Sequence, residues 1–213
     1  LLPMNELGIE FGYALYEATV TTVDNNPVLT VENVRDYAAV YVDGKLQGCI
    51  TEERKSITLQ VSAGKHMLQL YVENIGRITY GPEILDNSKG LFGSITLSDM
   101  EIGNWRMIPL LVRDCAVGEL AFMPQTGGGL PCFYKGIFTV ETPGEIYLDV
   151  SGWGMGEVWV NGHYAGSYWE QNAQQSIQLP VEVLQKGANS LIVFELKSNG
   201  KCTMHLSNKA VFN

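Results

Sequence analysis

The stretches "VYVDGKLQG" (residues 40–48) and "VWVNGHYAG" (residues 158–166) carry valines, an aromatic, an Asp or Asn turn residue and glycines in the same order. Asp43-Gly44 and Asn161-Gly162 lie between strand-like flanks. Those dipeptides favour the primed two-residue turns, whose twist matches that of the strands they join. Each stretch therefore reads as a tight β-hairpin. The second begins 158 − 40 = 118 residues after the first. A chain of 213 residues that writes one hairpin twice points to two copies of a larger β unit.

The repeat widens on both sides. "GYALYEATV" (12–20) faces "PCFYKGIFTV" (131–140), and "SITLQVSAGKHMLQLYVEN" (56–74) faces "SIQLPVEVLQKGANSLIVFELKSN" (176–199). Gly64 matches Gly187, a shift of 187 − 64 = 123, so the offset drifts as loop insertions would make it drift. Four segments keep their order, which argues against chance likeness among β-rich stretches. Short runs rich in β-branched and aromatic residues, bounded by turn residues, fill both halves: "ALYEATV", "AAVYVDG", "SITLQV" and "HMLQLYVEN", then "GIFTVET", "GEIYLDVSG", "EVWVNG", "SIQLPV" and "NSLIVFEL". Helix signals are scarce. "PVEVLQKGAN" (180–189), with Pro180 near its start and Gly187 near its end, fits a single helical turn. The expected fold is all-β, with two tandem β-sandwiches closed by jelly-roll connections, residues 1–103 and 104–213.

Composition narrows the function. Hydrophobic content of 46% and charged content of 17% suit packed cores. A net charge of −9 argues against nucleic acid and anionic membrane surfaces as partners. No apolar run approaches the roughly 18–20 residues of a spanning helix. The opening "LLPMNELGIEFG" has no basic flank before an apolar stretch, so no signal peptide is read, and without an initiator Met it suggests an excised piece of a longer protein. Cys49, Cys115, Cys132 and Cys202 lack C-x-x-C spacing, which disfavours zinc. Cys115 and Cys132 flank one glycine-rich loop and could pair, although plain buried thiols are the preferred reading.

Catalytic constellations are missing. Glycoside hydrolysis needs two carboxylates about 5–10 Å apart across one bond. Glu52 and Glu53 are adjacent, so in a strand they point to opposite faces. Glu73 and Glu195 read as matching positions in separate copies, each closing a strand end by accepting hydrogen bonds. His66, His163 and His205 show no metal-ligand spacing and no G-x-S-x-G serine. "TGGGLP" (126–131) lacks the Lys-Ser/Thr of a phosphate loop and reads as a flexible connection. Trp153, Trp159, Tyr164, Tyr168 and Trp169 could stack on sugar faces, but core packing explains most such rings. Trp169, past the hairpin, is the ring least expected in the core and the candidate for sugar contact.

Read together, "VRDYAAVYVDGKLQG", "LYVENIGRITYG", "KGLFGSITLSD", "NWRMIPL", "SGWGMGEVWVNGHYAGSYW" and "LQKGANSLIVFEL" resemble the C-terminal part of glycoside hydrolase family 35 β-galactosidases, from about Met4 to Leu196. The resemblance implies two galactose-binding-like domains whose (β/α)8 barrel, carrying both catalytic glutamates of a retaining mechanism, lies outside this chain. That barrel is the implied partner, with carbohydrate as a second. It further implies that Tyr80 of the "GRITYG" loop lines the rim of the barrel's pocket. Arg77 is expected to support that loop by pairing with a carboxylate such as Asp36. Many members read G-R-Y-W where this chain has Gly166-Ser167-Tyr168-Trp169, and G-P-Q where it has "QNAQQ" (171–175), which removes an arginine from that loop.

Three functions follow: a non-catalytic brace for the barrel, an independent carbohydrate-binding module, or an oligomerisation unit. No cofactor is expected. Jelly rolls of this type often hold a structural calcium, but no oxygen-ligand loop marks one here. The family implies a secreted, periplasmic or lysosomal-type setting.

Overall fold

The computed structural model describes residues 1–77, 79–124, 131–197 and 203–213. The "TGGGLP" loop, apart from Pro131, and Cys202 lie outside the described residues. The chain divides into two compact units, Leu1–Val112 and Arg113–Asn213. Unit 1 holds strands β1 (Gly12–Thr22), β2 (Val28–Arg35), β3 (Tyr37–Val42), β4 (Lys45–Thr51), β5 (Ser56–Thr58), β6 (Gly64–Asn74), β7 (Gly90–Leu97), β8 (Met100–Glu101) and β9 (Arg106–Leu110). Unit 2 holds β10 (Cys132–Val140), β11 (Tyr147–Asp149), β12 (Met155–Val160), β13 (His163–Trp169), β14 (Ser176–Gln178), β15 (Gly187–Glu195) and β16 (His205–Ser207). The expected break at 103/104 would cut β9 from the sheet it joins; it falls at Val112/Arg113 instead.

The duplication extends to topology. Unit 1 has one sheet ordered β4-β3-β6-β1-β9 and another ordered β5-β2-β7-β8. Unit 2 repeats the first as β13-β12-β15-β10 and the second as β14-β11-β16. Every pairing is antiparallel. Each unit is thus a jelly-roll sandwich, with alternate residues of both sheets meeting in the middle. In unit 1 these are Val40, Leu70 and Tyr16 from one sheet and Leu29, Val31, Ile95 and Leu97 from the other. In unit 2 Val158, Val160 and Val193 face Leu148, Ile177 and Trp153. The registers confirm equivalence: Val40 pairs with Leu70 and Val158 with Val193, giving 158 − 40 = 118 and 193 − 70 = 123. The drift has a location. Ile57 and Ile177 are counterparts at 177 − 57 = 120, so two residues enter before β14 and three between β14 and β15. The second insertion contains the single 3-10 turn Val181–Val183 that follows Pro180.

Both hairpins have left-handed turn residues, Asp43 and Gly44 at φ 50° and 75°, Asn161 and Gly162 at 50° and 82°. Each also carries a bulge, between Val40/Tyr41 and between Val158/Trp159. The bulge sits opposite a glycine with positive φ, Gly48 at 142° and Gly166 at 152°. A Cβ at Gly48 would come within 2.6 Å of Ile57 Cδ1, and one at Gly166 within 3.3 Å of Ile177 Cγ2. The backbone conformation therefore favours glycine at both places, and in both units the isoleucine of the facing sheet lies close against it.

The turn side chains lock the neighbouring strand in the same way in both units. Asp43 Oδ1 accepts the Met67 amide at 2.9 Å, and Asn161 Oδ1 accepts that of Ser190 at 2.8 Å. The second oxygen of Asp43 lies 2.7 Å from His66 Nδ1, whose Nε2 lies 2.9 Å from the Ser62 carbonyl. At the matching place Asn161 Nδ2 donates to Asn189 Oδ1 at 2.8 Å, and Asn189 Nδ2 to the Gln185 carbonyl at 2.8 Å. One geometry is filled by an ionisable pair in unit 1 and a neutral amide pair in unit 2. The carboxylate beside it raises the pKa of His66, and the imidazole lowers that of Asp43.

The register corrects one expectation. Val72, not Glu73, is the counterpart of Glu195, since Ala38 pairs with Val72 and Gly156 with Glu195. The two glutamates differ by one residue in register and so point to opposite faces. Cys115 and Cys132 are free thiols, as is Cys49.

Candidate functional site

The loop between β6 and β7 is the most distinctive surface of unit 1. Its polar side chains are tied down from below. Asn74 donates to the carbonyls of Ile9 and Glu10 at 3.3 and 2.9 Å and accepts the Gly76 amide at 3.0 Å. Asp36 accepts the Ile75 amide at 3.0 Å and takes both its oxygens to Lys89 Nζ, at 2.7 and 2.9 Å. The Lys89 side chain is buried, so that pair is shielded from solvent and holds the loop's C-terminal root. Arg77 does not pair with Asp36. Its guanidinium grips Glu10 Oε2 through Nε and Nη2 and donates from Nη1 to the Asn87 carbonyl at 3.1 Å. Arg35 Nη1 donates to the Asp86 carbonyl at 2.8 Å. Arg77 and Asp36 both serve the loop, with partners 67 and 53 residues away in sequence.

On this polar footing the loop displays apolar side chains to solvent. Tyr80 is 92% exposed and Leu85 96%, with Ile75 and Ile84 also exposed. Pro82–Leu85 forms one 3-10 turn, on which Ile84 and Leu85 are exposed. Isolated exposed apolar residues are ordinary; four on one pinned loop form an exposed apolar surface.

The aromatic candidates of unit 2 have structural work. Trp153 is buried in the core, its Nε1 donating to the Thr203 carbonyl at 3.0 Å. Trp159 lies on the other face of its sheet, 5.9 Å from Phe133 and 5.8 Å from Tyr164 between ring centroids. Tyr168 is buried and donates to the Phe194 carbonyl and Glu195 at 3.0 Å each. Trp169 ends β13 opposite Met155; it is partly buried and its indole nitrogen is shielded from solvent. Elsewhere in the unit a cleft of about 310 Å³, with Tyr168 and Ile177 in its lining, carries Ser167, Asn172, Gln174, Ser176 and Gln178 as neutral hydrogen-bonding groups, and Trp169 does not line it.

Two buried carboxylates in unit 2 are already engaged. Glu157 is wholly buried, bonded to Arg113 Nε at 2.8 Å and accepting from the Tyr164 hydroxyl at 2.6 Å. The Arg113 guanidinium also rests 5.6 Å from the Tyr164 ring centroid. Glu195 accepts backbone amides of Gly154, Met155 and Lys197 at 3.0, 3.2 and 2.8 Å. Burial raises its pKa, against the lowering effect of those amides. Glu157 pairs with Phe194, one place from Glu195, so the two carboxylates lie on opposite faces of one sheet and do not converge on a common bond. Among the described residues no three His, Cys, Asp or Glu side chains gather as a metal site. No helix among them is long and apolar enough to cross a membrane.

Lys89 and Glu10, which hold the Tyr80 loop, have no signal in the sequence beyond being charged. Glu157 could have been found as a lone acid in the otherwise apolar run "GEVWV".

Comparison with known proteins agrees with this architecture. Residues 2–111 match the family "Beta-galactosidase, first all-beta domain", and residues 131–189 match "Beta-galactosidase, galactose-binding domain". A β-galactosidase of Xanthomonas manihotis is 34% identical over 181 residues, covering 83% of this chain and 29% of that protein. Human β-galactosidase-1-like protein 2 is 33% identical over 201 residues, covering 91% of this chain and 31% of its own length. The chain thus spans about a third of the length of these relatives. A Pleurotus ostreatus lectin solved with GalNAc covers 93% of this chain and 72% of its own at 12% identity and a TM-score of 0.35, a likeness that carries no argument. The chain belongs to the β-galactosidase family, of which it carries the first all-beta domain followed by the galactose-binding domain.

Proposed function

We propose that this chain is the non-catalytic β region of a β-galactosidase, bracing a catalytic barrel that lies elsewhere in the polypeptide. The observation that carries this reading is the Tyr80 loop: a polar, ion-paired base under four solvent-facing apolar side chains. Burying those side chains against another domain would release about 25 cal/mol per Å² of apolar surface. Tyr80 would then stand at the rim of the substrate pocket, its hydroxyl available to a galactoside, while Arg77 and Asp36 fix the loop that presents it. The relatives' lengths leave room for such a barrel. A secreted, periplasmic or lysosomal-type setting accords with this reading.

The test uses the full polypeptide and the 213-residue chain side by side. The isolated chain should not hydrolyse a chromogenic galactoside. In the full polypeptide Tyr80→Ala should raise KM, and Leu85→Asp should lower the unfolding temperature of the barrel. Turnover by the isolated chain, or a full-length enzyme indifferent to both substitutions, would refute the proposal. A second reading, independent sugar binding, draws on the neutral cleft lined by Asn172, Gln174 and Gln178. It requires that the isolated chain bind galactose and that Asn172→Ala or Gln174→Ala weaken that binding.

A further inference from the structure

β1 and β10 are counterparts, yet their outer edges differ. Tyr16 pairs with Leu70 and Tyr134 with Val193, and 134 − 16 = 118. β9 covers the outer edge of β1, from Tyr13↔Leu110 to Glu17↔Arg106. β10 is bonded to β15 on one side and, among the described residues, to no strand on the other. A groove of about 740 Å³ follows that edge, with Phe122, Phe133, Ile137, Trp153 and Leu206 in its lining. Ile137, in mid-strand, is 75% exposed. A strand edge with no neighbouring strand is a template for another.

The occupant's charge can be read from the duplication. Across β1 and β9, Glu17 Oε1 holds Arg106 Nη1 at 3.0 Å. At the same place in β10, 17 + 118 = 135, stands Lys135. Its ammonium rests 5.5 Å from the Phe122 ring centroid, a contact an incoming carboxylate would displace. A second copy of β10 would bring another lysine and no acid.

We propose that the outer edge of β10 docks an extended polypeptide strand, added antiparallel as β9 is to β1, with an acidic residue opposite Lys135 and apolar side chains in the groove. Backbone pairing gives the affinity, and Lys135 reads the register and the charge. Lys135 and Gly136 could alternatively serve only to blunt an exposed edge, in which case nothing docks.

The probe is a synthetic peptide of residues 104–112 ("NWRMIPLLV"), used as it stands and with Arg106→Glu, titrated into the isotopically labelled 213-residue chain. Amide shifts and hydrogen exchange are read at residues 132–138. The substituted, acidic peptide should bind, protect β10 amides, and hold about fivefold more tightly than the unsubstituted one. Lys135→Glu, an exposed substitution that leaves the fold intact, should reverse that order. Absence of binding by both peptides overturns the proposal, as does a preference that survives Lys135→Glu. Protection of β10 that rises with chain concentration and needs no peptide would assign the edge to self-association and equally overturn it.

Discussion

Asn161 offers the sharpest test of how the unit 2 hairpin is held. Its side chain makes three hydrogen bonds, all at 2.8 Å: it accepts from the Ser190 amide and donates to the Val183 carbonyl and to Asn189 Oδ1. Its φ of 50° is one Asn tolerates better than Ala. Asn161→Ala removes three bonds worth about 1 kcal/mol each. It adds about 1 kcal/mol of backbone strain, for about 3–4 kcal/mol in all. Asn161→Gly loses the same bonds without the strain and should cost about 1 kcal/mol less than Ala. Urea unfolding followed by tryptophan fluorescence suits the measurement, because Trp153, Trp159 and Trp169 lie in unit 2 and only Trp105 in unit 1. For a unit of this size 1 kcal/mol corresponds to about 4–8 °C, so the alanine variant should melt at least about 12 °C lower. A loss below about 1 kcal/mol would refute the claim that this side chain locks the hairpin to β15, as would an equal shift of the Trp105 signal.

Other consequences are checkable by the same means. The His66–Asp43 pair should stabilise unit 1 by about 0.5 kcal/mol, a small value because Asp43 is half exposed and the pair is screened. His66 has a raised pKa, so its contribution is complete below its ordinary 6.5 and fades as pH climbs through the folded value; Asp43 has a lowered pKa, so its share fades as pH falls below about 3.8. Thermal scans should therefore show unit 1 more stable at about pH 5.5 than at about pH 8, and His66→Asn should flatten that difference; a flat wild-type profile counts against the pair. Gly48→Ala should cost about 1–3 kcal/mol through strain and the Ile57 contact. Ile57→Val, which deletes the contacting methyl, should recover part of that loss in a double-mutant cycle, and strict additivity would exclude the contact. Arg113→Ala should destabilise unit 2 more than Glu157→Gln, because it strands a buried carboxylate whereas the reverse leaves a half-buried guanidinium facing an amide. Equal losses in calorimetry would contradict that order.

The hairpins were legible because their signals are local: a turn dipeptide, flanking β-branched residues and a bulge glycine all lie within one short stretch of chain. Two tandem sandwiches followed from repetition of those signals in order. What escaped was set by distance along the chain. Arg77 finds Glu10 across 67 residues, and Asp36 finds Lys89 across 53, choices that charge alone does not make. Glu73 was matched to Glu195 because identical residue types outweighed a shift of one place, and only the ladder of Ala38–Val72 and Gly156–Glu195 resolves it. The strand β2 was passed over because its outward positions, Thr30, Glu32 and Asn33, dilute the apolar signal of Leu29, Val31 and Val34. The exposure of Tyr80 was not legible, since no periodicity marks a loop side chain.

Two sandwiches that share a strand order carry a hazard during synthesis: a strand from the earlier half could insert into the later one. Tandem repeats that misassemble do so in this manner. Glu157 raises the cost of that error. Its counterpart is Ala39, since 157 − 118 = 39. If β3 took the place of β12, Arg113 and the Tyr164 hydroxyl would be left facing a methyl group in place of their carboxylate partner. The divergence of the two copies at this buried acid would thus penalise a β3 strand inserted into the second half.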